Sequence, residues 1–156
     1  MIEIARVTHT STVSGSRFFE RWCDLPSHPE WAPSMEYFVL DGPFGLGATG
    51  RSRAVGGAET RFTVTAIGPG WVYADTTELE GARLTVHHEA RDEDGGTVVT
   101  LTGFLEGEGA LALSSEIGPG LQIALERDLR SLATLLEAEQ CVGSVAEALD
   151  EGAAEL

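Results

Sequence analysis

Two adjacent histidines, His87 and His88, stand in "RLTVHHEAR", a stretch that alternates apolar and polar residues as a strand does. Consecutive strand residues point to opposite faces, so the pair cannot serve one metal together. With Leu84 and Val86 taken as inward, His88 joins them and His87 faces solvent. An imidazole lining a cavity titrates near neutrality and can act as general base or acid; a hydrogen-bonded wall histidine is the plainer alternative. Tyr37 and Tyr73 offer hydroxyls that could orient a ligand carbonyl. Arg51, Arg53 and Arg61 fall on the middle strands, and Arg53, turned inward, would hold an enolate or a carboxylate. Asp75 is a further candidate acid. Trp31, Phe104 and Leu125 are candidate wall residues, with plain core as the competing reading. His9 and His28 stand at no metal-ligand spacing with anything, and neither a metal nor a cofactor is expected.

Several chemistries are excluded by what surrounds these residues. Residues 45–50, "GLGATG", match the GxGxxG fingerprint of dinucleotide-binding loops. That fingerprint works only where a helix N-terminus comes next to receive the pyrophosphate. The next residues are "RSRAVGGAE", with Gly56-Gly57 and no helical stripe, so the glycines read as a wide turn between strands. The ten basic residues are all arginine; without lysine there is no Schiff base and no Walker-type phosphate lysine. No HExxH, nucleophile elbow or paired-cysteine motif occurs, and Ser14 in "TVSGS" lacks the flanking glycine that GxSxG needs. A net charge of −15 disfavours nucleic acid as a partner.

The elements that must position these side chains can be read from periodicity. At 156 residues and 42% hydrophobic, the chain suits one domain with a real core. No apolar run is long enough for a membrane span, and "MIEIARVTHT" has no signal-peptide layout. A cytoplasmic location is the expectation. Cys23 and Cys141 form no CxxC and read as thiols in a reducing compartment. Residues 2–10 alternate as a strand. Ser14-Gly15-Ser16 precedes a short helix carrying Phe18, Phe19 and Trp22 on one face. Ser27 and Glu30 form a capping box for a second short helix that ends before Pro33. About six short strands come next, each ended by Gly or Pro, with Asp94-Gly95-Gly96 a strong hairpin signal. Finally Leu121, Leu125, Leu129, Leu132 and Leu136 step by helical spacing along one stripe. This is an α+β layout of one curved antiparallel sheet of about seven strands around a long C-terminal helix. Six of the 25 acidic residues fall in residues 137–156, which contain no basic residue. Residues 141–156 therefore read as a flexible acidic tail on a domain spanning 1–140.

Trp22 followed by "PEWAP", then "RFTVTAIGPG", "DGGTVVTLTG" and the leucine-striped helix resemble the START-like, helix-grip superfamily. The nearest branch is the polyketide cyclase/dehydrase and lipid-transport group, and the resemblance covers about residues 2–139. It implies a cavity between sheet and helix that binds an apolar or aromatic molecule, with acid–base chemistry at His88, Arg53 and Tyr37. Trp31, Tyr73, Asp75, Phe104 and Leu125 would then line the ligand. The expected role is that of a polyketide cyclase/dehydrase, or alternatively a non-catalytic carrier or sensor. The expected partners are a hydrophobic small molecule and a second copy of the chain in a homodimer, with no nucleic acid and no membrane span. Small side chains taken as inward, Ala74, Thr76, Ala90 and Thr102, point to a cavity as well. Relatives run an unbroken helix where this chain has Gly118-Pro119-Gly120, so a separate lid or a kinked turn is expected there.

Overall fold

The computed structural model describes residues 1–154, and side chains through Val145. The chain begins with β1 (Ile2–Ser11), α1 (Gly15–Cys23) and a 3₁₀ turn at Leu25–Glu30. Six strands come after it: β2 (Met35–Leu40), β3 (Thr49–Ala54), β4 (Glu59–Gly68), β5 (Val72–Leu79), β6 (Ala82–Glu93) and β7 (Gly96–Glu106). The long helix α2 (Ala110–Ala154) closes the fold. All pairings are antiparallel in one seven-stranded sheet of order β1-β7-β6-β5-β4-β3-β2. The chain is a meander whose first strand returns beside its last, and α2 lies in the grip. The architecture is α+β, as the alternation and the leucine stripe imply. Among the described residues no helix is long and apolar enough to cross a membrane.

The core forms where α1, the 3₁₀ turn and the C-terminal half of the leucine stripe meet the sheet. Phe18, Trp22 and Leu25 are buried there with Phe62, Tyr73, Val99, Leu129, Leu132 and Leu136. A second cluster packs Ala110 against Ala82 and Leu105, with Leu113 and Ile117 beside them. This cluster holds the first turns of α2 on the sheet.

Close approach explains two glycines. A Cβ on Gly50 would sit 2.6 Å from the Phe62 ring, so the bare backbone lets that ring lie across the β3–β4 pair. A Cβ on Gly103 would meet the Leu121 methyl at 2.7 Å, so Leu121 of α2 fills the space a side chain would take.

Two side chains tie the elements together. Asp92 of β6 accepts from the Gly15 N–H at 2.8 Å and from the Thr97 hydroxyl at 2.9 Å, capping α1 from across the fold. These bonds hold its carboxyl below the usual range. Gln122 of α2 pairs with the backbone of Arg6, accepting from its N–H at 3.0 Å and donating to its C=O at 2.9 Å. The outer edge of β1 is thereby paired at Arg6.

Two expectations about local structure are corrected. Gly118-Pro119-Gly120 neither breaks α2 nor forms a lid; the helix runs through it. Proline removes one backbone donor, and the packing of Ile117 on one side and Leu121 on the other holds the helix across that gap. Ser27 does not cap a helix: its hydroxyl donates to the Asp24 C=O at 2.8 Å, and Asp24 is the residue at the start of the 3₁₀ turn. The backbone of residues 141–154 continues α2, and Glu155 and Leu156 lie outside the described residues. GLGATG is a turn with Gly47 at φ +84°, and it leads into β3 instead of a helix.

Cys141, Val142 and Val145 are exposed. We propose that the folding unit ends near residue 140. Truncation after Gln140 is expected to leave the thermal midpoint within about 2 °C of the full chain, since surface changes usually stay within about 0.5 kcal/mol. A calorimetric scan of both chains checks this.

Candidate functional site

Between α2 and strands β2–β6 lies a cavity of about 280 Å³, at the lower edge of the ~300–1,000 Å³ common for ligand sites. Its apolar wall is made by Met35, Phe38, Leu84, Val86, Leu121 and Leu125. Four titratable side chains face the same space: His28, Asp75, His88 and Asp128.

His88 lies where the alternation of β6 puts it, inward beside Val86. It is 6% exposed, held between the rings of Trp22 (5.1 Å between centroids) and Tyr73 (5.2 Å). Its Nδ1 is 3.1 Å from the Tyr73 carbonyl. A carbonyl can only accept, so Nδ1 carries the hydrogen and Nε2 keeps its lone pair. Burial lowers the imidazole to about 4, which leaves it neutral at ordinary pH.

Asp75, two residues from Tyr73 on β5, points into the cavity and accepts from the Tyr73 hydroxyl at 2.8 Å. Burial pushes its carboxyl up to about 6, against the smaller lowering effect of that hydrogen bond. Burial and the neighbouring Asp75 raise the Tyr73 phenol well above its ordinary value. Leu125 lines the cavity from α2. Trp31 is buried one layer back, its ring 4.1 Å from that of His28, and its indole N–H has no partner.

Three expected site residues are elsewhere. Arg53 is on the outer face of β3: its Nε donates to the Gly57 C=O at 2.9 Å and lies 3.4 Å from a Glu36 carboxylate oxygen. The reason is strand phase, since its neighbours Ser52 and Ala54 are the β3 residues that face the cavity. Tyr37 is likewise outside, its hydroxyl donating to Glu59, while Phe38 takes the inward position next to an irregularity between Met35 and Tyr37. Phe104 faces outward because Gly103 and Leu105 are the inward residues of β7. Strand phase also relocates the small residues. Ala90 packs in the core, but Thr76 bonds Thr65 and Thr85 on the outer face, opposite Asp75 and Thr77, and Ala74 and Thr102 share that face.

Two site residues escaped the sequence. His28 sits in the 3₁₀ turn between prolines, where no periodicity marks an inward face. It is 6% exposed, its ring lies 4.4 Å from that of Phe38, and its Nδ1 is buried without a partner. Burial, with a smaller contribution from His88, lowers it to about 3. Asp128 did leave a signal: it falls on the apolar stripe, three residues after Leu125 and four before Leu132. Its carboxyl accepts from the Ser34 N–H at 3.2 Å and from the Ser34 hydroxyl, and burial raises it.

No protein-family model matches the chain, and no curated protein matches it in sequence. Solved structures do match in shape. The crystal structure of Ara h 8.0201 superposes at TM-score 0.70 and 17% identity, over 85% of this chain and 96% of that one. The di-domain ARO/CYC StfQ from the steffimycin biosynthetic pathway gives 0.69 at 13% identity over 86% of this chain; the match spans 50% of StfQ. The Polyketide_cyc-like protein Cgl2372 from Corynebacterium glutamicum gives 0.60 at 16%, over 89% and 94% of the two chains. The chain therefore shares the helix-grip fold of these structures.

The buried titratable groups set a pH dependence of stability. His28 and His88 bind protons less readily folded than unfolded. Their contribution is complete above the unfolded value of 6.5 and is lost as pH falls toward about 4 for His88 and about 3 for His28. Asp75 acts oppositely, regaining stability as pH falls from about 6 toward 3.8. Asp128, raised by burial, acts in the same direction as Asp75, but the two histidines carry the larger shifts, at about 1.4 kcal/mol for each tenfold change in proton affinity. The urea midpoint is expected to drop between pH 6.5 and 4, and to drop less steeply in His28→Phe. Urea titrations at a series of pH values check both.

Proposed function

We propose that the chain binds a small apolar or aromatic molecule in this cavity and closes a ring on it by acid–base catalysis, as a polyketide cyclase/dehydrase. The observation that carries the reading is His88: a neutral imidazole of fixed tautomer, its lone pair free, beside a carboxyl of raised pKa in an apolar enclosure. A base this weak takes a proton only from an acidic donor. The enol of a 1,3-dicarbonyl is such a donor, and it recurs along a polyketide chain. His88 Nε2 takes the enol proton, the enolate carbon attacks a second carbonyl, and Asp75 in its protonated form delivers a proton to the oxygen of that carbonyl. One carbon–carbon bond forms, one carbonyl becomes a hydroxyl, and the enclosure holds the flexible chain folded for the attack. The aromatase/cyclase among the structural neighbours supports this chemistry without assigning it.

The position of Arg53 and Tyr37 outside the cavity favours a second reading. Without a cation or a tyrosine at the reacting oxygen, the domain would be a carrier or sensor of a hydrophobic ligand. A phenyl-capped six-carbon triketone, whose closure to an aromatic ring changes its ultraviolet absorbance, separates the two. Under the enzyme reading turnover requires His88 neutral and Asp75 protonated, so it peaks between about pH 4 and 6. His88→Gln then lowers kcat by roughly two to four orders of magnitude with KM little changed. No acceleration above buffer, with only affinity shifted by about tenfold or less in the variant, rejects catalysis and leaves the carrier.

A further inference from the structure

We propose that His28 and His88 form one subsite that reads a single neutral hydroxyl on the ligand, His28 donating to its oxygen and His88 accepting its hydrogen. The two rings are then the specificity-determining pair of the cavity, a role that rests on the cavity being a ligand site.

Donors and acceptors divide between the two rings. His88 offers the cavity a lone pair on Nε2, because Nδ1–H is committed to the Tyr73 carbonyl. His28 offers the opposite. Its Nδ1 is buried with no partner, and the Trp31 ring packed against it carries an unpartnered indole N–H. A buried N–H left without an acceptor is rarer in proteins than an acceptor left without a donor. The hydrogen of the neutral His28 ring therefore belongs on Nε2, the nitrogen left to face the cavity. The two rings are close enough that charge on His88 disfavours charge on His28, and burial keeps both neutral.

A donor and an acceptor lining one small cavity select among ligand groups. A hydroxyl satisfies both at once. A carbonyl or an ether can use only His28, and an ammonium can use only His88. A carboxylate can use only His28 and also meets Asp75 and Asp128 on the same wall, where no arginine stands among the lining residues. Phenols and enols fit. A carboxylate does not, since no cation stands on the wall to hold it.

The test uses three probes of nearly equal shape, naphthalene, naphthol and naphthoate, titrated into the full chain near pH 7 and read by calorimetry. Naphthol is expected to bind about tenfold or more tightly than naphthalene, and naphthoate more weakly than naphthalene. In His28→Phe and in His88→Phe, each keeping an aromatic ring against its neighbours, the naphthol-to-naphthalene ratio should collapse to about twofold or less. Equal binding of naphthol and naphthalene, or a ratio unchanged in both variants, overturns the subsite while leaving the cavity as a binding site. If none of the three probes binds, the ligand-site reading falls and the subsite with it. Should either variant lose its cooperative melt, the other variant and the ranking on the unaltered chain decide.

Discussion

The hydrogen bond from His88 Nδ1–H to the Tyr73 carbonyl is the contact on which the rest of the site depends. It fixes which nitrogen of the ring holds a proton, and so what the ring can do to a ligand. The β5–β6 register makes it available, since Tyr73 and His88 are direct cross-strand partners. The faces of the ring are fixed from two other directions. Tyr73 is held through its hydroxyl by Asp75, and Trp22 arrives on α1, whose start is fastened by Asp92. Ion pairs of Arg17 and Arg21 with Glu139 bind α1 to α2 on the far side. Exposed pairs of that kind add little to stability, but they agree with the placement of α1 against the end of the leucine stripe.

The fold separates charge by layer. Arg51, Arg53 and Arg61 stand on the convex face among Asp41, Glu36 and Glu59, and the concave face keeps groups that burial pushes toward neutrality. Such groups cost stability wherever they lack partners, as His28 Nδ1 and Trp31 Nε1 do. The apolar cluster of Phe18, Trp22, Leu129, Leu132 and Leu136 next to them offsets that cost. An apolar cavity that buries titratable groups beside a dense core is the arrangement expected where function and stability make opposite demands.

The fold was legible in the sequence because its signals are periodic. Leucines at steps of four and three fix a helix face, and Leu84, Val86 and His88 share one face of β6. Where the period failed, so did the site. β3, "TGRSRA", has no large apolar residue to reveal its phase, and its small residues turned out to be the inward ones. β7, "GTVVTLTGFLE", is apolar on both faces, so Phe104 could be assigned to either. The irregularity at the start of β2 shifts Tyr37 relative to a simple alternation. His28 lies in a 3₁₀ turn six residues long, too short to show any repeat. Asp128 was readable, as a carboxylate occupying a leucine position of an otherwise apolar stripe.

The bare backbone at Gly103 has a consequence for how this domain could diverge. Leu121 reaches into the space that glycine leaves, and Leu121 is also part of the cavity wall. The capacity of the cavity is thus written partly on β7, a strand that contributes no lining residue itself. A methyl group added there would crowd Leu121 away from the sheet. Ligand size could then drift by single substitutions outside the binding surface, leaving the histidines and their chemistry untouched.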